Sequence, residues 1–273
     1  MSKSKKIVIL LLFLTAIIAY AVLIEPNWIQ VNQIQIKQRQ FSSFFNNNIV
    51  IFLSDIHVSQ LGIREKLLLN KIQKIDPDYI FLTGDFVSWK GNYNQTFNFL
   101  KKLKAKKGIY GVLGDADYTD SRKSCLFCHR FNKEDPVLPV QILKNQTISI
   151  NQGPHKIKLI GIEPFKHNFI EGKELVEKKS NTPAIVLSHQ QVDFKGINNN
   201  NILVLSGDTH GGQVYMPAFF WEKLFGPNKG SIKQGTNKNQ TIIVNTGIGT
   251  SRIPLRLFCR PEIILLKGNN KSN

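Results

Sequence analysis

At 273 residues and 42% apolar content the chain is long enough for one large globular domain or two small ones, and its three cysteines exclude a disulfide-built scaffold. Lys and Arg number 36 against 19 Asp and Glu, a formal net charge of +17, which suits an anionic partner: lipid headgroups, a phosphorylated substrate or nucleic acid. Much of that charge can equally serve only to solvate the surface.

The first element is apolar. Lys3, Lys5 and Lys6 precede Ile7–Ile24, 18 residues without a charge. As a helix this run spans ~27 Å, enough to cross a hydrocarbon core. Glu25 and Pro26 end it, and Trp28 follows as an interfacial residue. Ala19-Tyr20-Ala21 resembles a signal-peptidase site, but the apolar run continues beyond it, which favours a retained single-pass anchor. With the basic end inside, the rest of the chain lies on the non-cytoplasmic side.

The expected organisation is an anchor over 1–25, a lead-in strand and linker over 26–48, a main globular domain over 49–268 and a polar tail over 269–273. In the lead-in, Val31, Ile34 and Ile36 suggest one short strand. IVIFL (Ile49–Leu53) is a buried strand. Apolar residues at Ile63, Leu67, Leu68, Ile72 and Ile75 have helical spacing. YIFL (Tyr79–Leu82) is the next strand. Phe97, Leu100 and Leu103 mark a second helix, and IYGVL (Ile109–Leu113) a third strand. This alternation reads as α/β. The later half is richer in strands: TISI and IKLIGI flank Gly153-Pro154 like a hairpin, and AIVLS, ILVLS, TIIVN and EIILL follow. The mixture implies more than one sheet, with helices on the outer faces.

Polar clusters follow the strands directly, where α/β folds place their sites. Asp55 and His57 come after IVIFL, Asp85 after YIFL, and Asp115 after IYGVL; His189 comes after AIVLS, and Asp208 and His210 after ILVLS. Singly, Asp85 after a glycine is a turn or cap residue and His189 a core histidine. Only the ordered set D-I-H, G-D, G-D-A-D, S-H, G-D-T-H overturns those readings.

This set, over about Ile49 to Leu266, resembles the signature of the calcineurin-like metallophosphoesterases. The closing GIGTSRIPLRLFCRPEI is similar to the bacterial branch with membrane-bound members, such as the UDP-2,3-diacylglucosamine pyrophosphatases. The resemblance implies a four-layer α/β/β/α sandwich of two mixed sheets, beside the N-terminal transmembrane helix. It implies two divalent metals about 3.5 Å apart that clamp a phosphate and activate a bridging hydroxide. By position, Asp55, His57 and His210 hold the first metal, Asp85 bridges, and Asp115, His189 and Asp208 complete the second; Asp85 and Asp115 are the expected catalytic carboxylates.

Three positions depart from the family. Asp115 replaces the usual Asn and Asp208 the usual His, making the second site more anionic and harder; Mn is the first expectation, with Fe, Zn or Mg as alternatives. Ala116 replaces a His that protonates the leaving group. Its loss is tolerated where the leaving group is already a stable anion, as in a pyrophosphate or nucleotide bond. The expected function is hydrolysis of a phosphodiester or pyrophosphate bond in an anionic, lipid- or nucleotide-linked substrate. The alternative is a degenerate, non-catalytic phosphate- or lipid-binding module. The named pyrophosphatases act on the cytoplasmic face, whereas the basic N-terminus argues for the other side. A membrane-anchored chain makes nucleic acid a poor primary target.

Other groups stay outside this scheme. Cys125-x-x-Cys128-His129 matches a haem attachment pattern, but it falls between motifs of a different fold, and Met216 is the only Met other than Met1. A Cys125–Cys128 disulfide is the simpler reading outside the cytoplasm. Arg252 and Arg256 could reach a substrate phosphate, or be ordinary surface residues.

Overall fold

The computed structural model describes residues 2–88, 93–118, 138–152, 155–164, 174–176, 182–191, 201–215, 234–237 and 240–269. The chain begins with α1 (Lys3–Ala19), which continues through a π-helical turn at Tyr20–Ile24 and a 3-10 turn at Glu25–Asn27. No residue of α1 is buried, although it is apolar on every face. Lys3–Asn27 is one helix long and apolar enough to cross a membrane.

Two six-stranded mixed sheets form the domain. The first has the order β1 (Gln30–Ile36), β12 (Glu262–Gly268), β2 (Val50–Leu53), β3 (Tyr79–Thr83), β4 (Gly108–Val112) and β5 (Val140–Ile142). Strand β12 runs parallel to β1 and antiparallel to β2, and β2 to β5 are parallel. The second has the order β10 (Gln234–Asn237), β11 (Gln240–Val244), β9 (Ile202–Ser206), β8 (Ala184–Ser188), β7 (His155–Ile162) and β6 (Gln146–Gln152). Here β7, β8, β9 and β11 are parallel, and β6 pairs antiparallel with β7 from Gln152↔His155 outward.

In the central strands β2, β3, β8 and β9 side chains alternate between two apolar layers, so these strands read as near-continuous apolar runs. Val50, Phe52 and Phe81 join Leu159, Ile185, Leu203 and Ile243 in the core between the sheets. Ile51, Leu53, Ile80 and Leu82 point the other way, onto α3 (Ile63–Ile75) and α4 (Tyr93–Leu100), while Ile160, Val186 and Val204 line the outer face of the second sheet. Helix α3 spans the residues its spacing predicts. The Glu65 carboxylate accepts from Gly62 N at its start, and Asp76, with φ 51°, ends it ahead of Pro77. Helix α4 is shorter than predicted: it stops at Leu100, and Leu103 reaches the same core through turn bonds from Lys102 N to Phe99 O and Leu103 N to Leu100 O.

Three elements carry no periodic signal in the sequence. Helix α2 (Ser42–Asn46) lies in an Asn- and Phe-rich stretch, yet Phe44 and Phe45, with Phe41, are buried between the sheets. Strands β5 and β10 are short edge strands. Residues 153–154, Cys125, Cys128, His129 and Met216 lie outside the described residues.

Candidate metal centre

The seven candidate residues sit on loops that leave the carboxyl ends of β2, β3, β4, β8 and β9. These loops are bonded to one another through backbone. Asp55 N donates to Gly84 O at 3.1 Å, His57 N to Asp85 O at 2.9 Å, and Gly207 N to His189 O at 2.9 Å. Five of the seven adopt left-handed backbone: Asp55 (φ 48°), His57 (45°), Asp85 (54°), Asp208 (71°) and His210 (52°). Each such residue costs about 1–3 kcal/mol and persists only where its surroundings over-determine it. The loops also approach closely. Gly84 has φ 86°, and a Cβ there would overlap Gly114 N; one on Gly207 would overlap Ser54 Oγ.

Two clusters of potential ligand atoms result, and they share Asp85. Asp55, His57, Asp85 and His210 form one, and Asp85, Asp115 and His189 the other, with ligand atoms in each within 4.8 Å of one another. The Asp85 oxygens divide between them: Oδ2 lies 3.3 Å from His57 Nε2, and Oδ1 lies 3.4 Å from His189 Nε2. His57 Nε2 and His210 Nε2 are 3.0 Å apart, and His210 Nε2 is 3.5 Å from Asp55 Oδ1. His189 Nε2 is 3.2 Å from Asp115 Oδ1 and 3.7 Å from Asp208 Oδ1. Asp208 is thus at the edge: its side chain is 46% exposed, and its N–H donates to both Asp55 oxygens at 3.1 Å.

Hydrogen bonds on the far side of the rings set the tautomers. His189 Nδ1 donates to Thr83 O at 2.8 Å and His57 Nδ1 to Val87 O at 3.2 Å, since a carbonyl can only accept. In the neutral imidazoles both Nε2 atoms therefore turn lone pairs into the site. His189 Nε2 is buried without a hydrogen-bond partner and faces carboxylate oxygens. Such a lone pair among anionic oxygens is repulsive until a cation or a proton lies between them. Two nitrogens each ~2.1 Å from one ion and at right angles lie ~3 Å apart, which is the His57–His210 spacing. The donor set fits divalent metals.

Burial drives the electrostatics of the metal-free site. It pushes Asp55 up to about 6 and raises Asp85 well above the carboxylate range, while it lowers His57 to about 3 and His210 well below the imidazole range. Burial also works to lower His189, but Asp85, Asp115 and Asp55 outweigh it and raise that pKa well above its ordinary value. Asp55 thus adds stability to the metal-free fold below its unfolded value of 3.8, and that stability is lost as pH rises through about 6. A bound cation reverses the penalty and must displace protons from Asp55, Asp85 and His189. Divalent-metal affinity is therefore expected to weaken at least tenfold per pH unit below about 6. Calorimetric titration in two buffers of different protonation enthalpy should show proton release; equal heats and a flat pH profile would contradict it.

Two further residues belong to this architecture. Asp117, fully buried, accepts from Phe86 N at 2.8 Å, Val87 N at 3.1 Å and Gly114 N at 2.9 Å, so it holds the Asp85 loop to the Asp115 loop. Its place in G-D-A-D was the available signal. Arg256 is neither a surface residue nor placed to reach phosphate. It is completely buried, and its guanidinium donates to the carbonyls of Thr246, Gly247, Gly249 and Cys259.

The family profile described as Calcineurin-like phosphoesterase matches residues 49–212. The metallophosphoesterase YkuE of Bacillus subtilis (strain 168) is 28% identical over 92% of this chain and 90% of its own length. The metallophosphoesterase YkoQ of the same strain is 25% identical over 86% of this chain and 88% of its own. UDP-2,3-diacylglucosamine pyrophosphatase LpxG of Chlamydia muridarum (strain MoPn / Nigg) is 24% identical over 93% and 95%.

Proposed function

The chain belongs to the calcineurin-like phosphoesterase family, and from that premise we propose that it is a membrane-anchored hydrolase of a phosphodiester or pyrophosphate bond. The observation that carries the reading is the Asp85 carboxylate, whose two oxygens face two separate clusters of ligand atoms. In the proposed assignment Asp55, His57 and His210 hold one metal, Asp115, His189 and Asp208 the other, and Asp85 bridges. When bound, such a pair of ions neutralises phosphate charge and makes a nucleophile of water at neutral pH. The chain's own residues orient that chemistry. Thr83 O and Val87 O fix the imidazole tautomers, Ala116 N–H holds Asp85 Oδ1 at 2.9 Å, and Asp117 keeps the two loops in contact.

Ala116 and the likeness to a pyrophosphatase both support a substrate whose leaving group is a stable anion, lipid- or nucleotide-linked. The carboxylates of Asp115 and Asp208 support Mn over softer ions at the second site. The test is metal analysis and turnover of full-length protein in detergent, with phosphomonoesters, phosphodiesters and pyrophosphates. The expected result is two divalent ions per chain and Mn-dependent diester or pyrophosphate hydrolysis. Full metal content without turnover on any class would favour the non-catalytic binding module, for which Ala116 is the supporting residue.

The anchor reading is supported by packing at its end. Ala21 is buried and its carbonyl accepts from Arg256 N at 2.9 Å, so the end of the helix is built into the folded domain. The protein is expected to stay with membranes through high-salt washing, because apolar burial is insensitive to screening whereas basic-surface adsorption is not. Release of most of the protein by salt, or a mature chain starting at Val22, would contradict it. Lys3, Lys5 and Lys6 support a non-cytoplasmic domain.

A further inference from the structure

The end of the apolar helix is fixed to the segment that backs the metal centre. Beyond the Ala21–Arg256 bond, the buried Glu25 carboxylate accepts from Phe258 N at 2.9 Å and from Cys259 N. The Arg260 guanidinium lies 3.6 Å from the centroid of the Trp28 ring. On its other side the same segment reaches the ligand loops. Arg256 gathers the carbonyls of Thr246, Gly247 and Gly249, and Gly249 N donates to Asp55 O at 2.6 Å. The Cys259 thiol donates to His210 O at 3.5 Å, and Tyr215 N to Leu257 O at 2.8 Å.

Topology brings the membrane and the centre to one end of the sheet. β1 starts at Gln30, directly after the helix, beside Glu262 at the start of β12. β12 is antiparallel to β2, so the amino ends of β1 and β12 flank the carboxyl ends of β2 to β4, where the candidate ligands sit. Ala21 is three residues inside the apolar run that ends at Ile24, or ~5 Å along the helix. The 256–260 segment therefore meets the helix at the level of its apolar part. Around it, Ile253 is 60% exposed, Tyr215 61% and Phe258 74%. Phe258 also has φ 55°, an unfavourable backbone for a bulky residue that its bond to Glu25 sustains while the ring faces solvent. Exposed apolar side chains on a strained loop beside a membrane-spanning helix are not explained by packing within the domain.

We propose that Tyr215, Ile253 and Phe258, with Trp28 and Arg260, dock into the headgroup layer of the bilayer that the helix enters. The metal centre is then held at the lipid surface and takes its phosphate from a lipid-linked substrate there. This rests on reading the helix as an anchor and the centre as a phosphoesterase site. Aromatic and aliphatic side chains flanked by arginine match an interface of anionic lipid, and the net charge of +17 adds to the attraction.

The test places a tryptophan at Phe258 or Ile253 in the full-length chain (Phe258→Trp, Ile253→Trp) and, as a control, at the exposed Lys104 near the amino end of β4 (Lys104→Trp). Each is reconstituted in phosphatidylcholine–phosphatidylglycerol vesicles with acyl-brominated lipid, and its emission is compared with that of the unsubstituted protein. Mn-dependent hydrolysis of bis(p-nitrophenyl) phosphate by the unsubstituted protein is measured in parallel. The added emission at 258 and 253 should be quenched at least twofold more than at 104. Equal quenching at the three positions overturns the docking surface, whether or not the diester is hydrolysed. Selective quenching without hydrolysis of any diester or pyrophosphate supports the surface and overturns the phosphoesterase reading instead.

Discussion

Asp85→Asn is expected to lower Mn-dependent turnover at least a thousandfold, about 4 kcal/mol of transition-state stabilisation, without unfolding the protein. The side chain is buried and its oxygens serve two clusters at once. An amide keeps the shape and one acceptor, so Ala116 N–H retains its partner. The other half, at the Oδ2 position, becomes a donor that can bond the lone pair of His57 but cannot hold a cation. Burial already raises the Asp85 pKa well above the carboxylate range, so replacing the acid by a neutral isostere removes a desolvation penalty from the metal-free fold. The chelated variant should therefore melt at or above the temperature of the chelated unsubstituted protein, and Mn should no longer raise its melting temperature. Retained turnover with two bound metals would mean that Asp85 does not bridge.

The second large effect concerns the leaving group. Rates for a series of aryl phosphodiesters are expected to fall steeply as leaving-group pKa rises, and Ala116→His should flatten the dependence, with gains of about 100-fold for the poorest leaving groups. Ala116 is in the turn Asp115–Asp117, and its N–H already contacts Asp85 Oδ1, so a side chain there starts beside the reacting centre. Among the described residues, the imidazoles gathered in the site are those of His57, His189 and His210, all placed in the ligand clusters. With a nucleotide or aryl leaving group the departing oxygen is a stable anion, so the missing proton donor costs little. With an alkoxide it slows the chemical step. A flat dependence in the unsubstituted protein, with chemistry rate-limiting, would mean that another acid serves; His129→Ala is then the variant to examine, and a slope still flat in it would contradict this account of Ala116.

Most strands and helix α3 were legible because the signals that encode them are local. Burial on both faces turns Val50–Leu53 or Ala184–Leu187 into an unbroken apolar run, and the first polar residue marks the end of the strand. The order of Asp55, His57, Asp85, Asp115, His189, Asp208 and His210 was likewise readable, since each directly follows a strand. Helix α2 was not, because adjacent phenylalanines in five residues have no period, and α4 ended early because a turn suffices to bring Leu103 to the core.

Five residues in left-handed backbone, the buried arginine and the offset of Asp208 had no counterpart in the sequence. Neither did the three backbone bonds to Asp117. Each depends on partners far away in the chain: Arg256 on carbonyls at 246, 247 and 249 and on the helix at Ala21, and β1 on β12 more than two hundred residues later. The sequence by itself determined the chemical identity of the candidate donors and the strands that carry them, because periodicity and motif order are short-range properties. Only the tertiary structure decided that Asp85 is shared between two clusters and that the helix end joins the loop behind them. Desolvation and non-local backbone hydrogen bonding exist only once the two sheets have closed on each other.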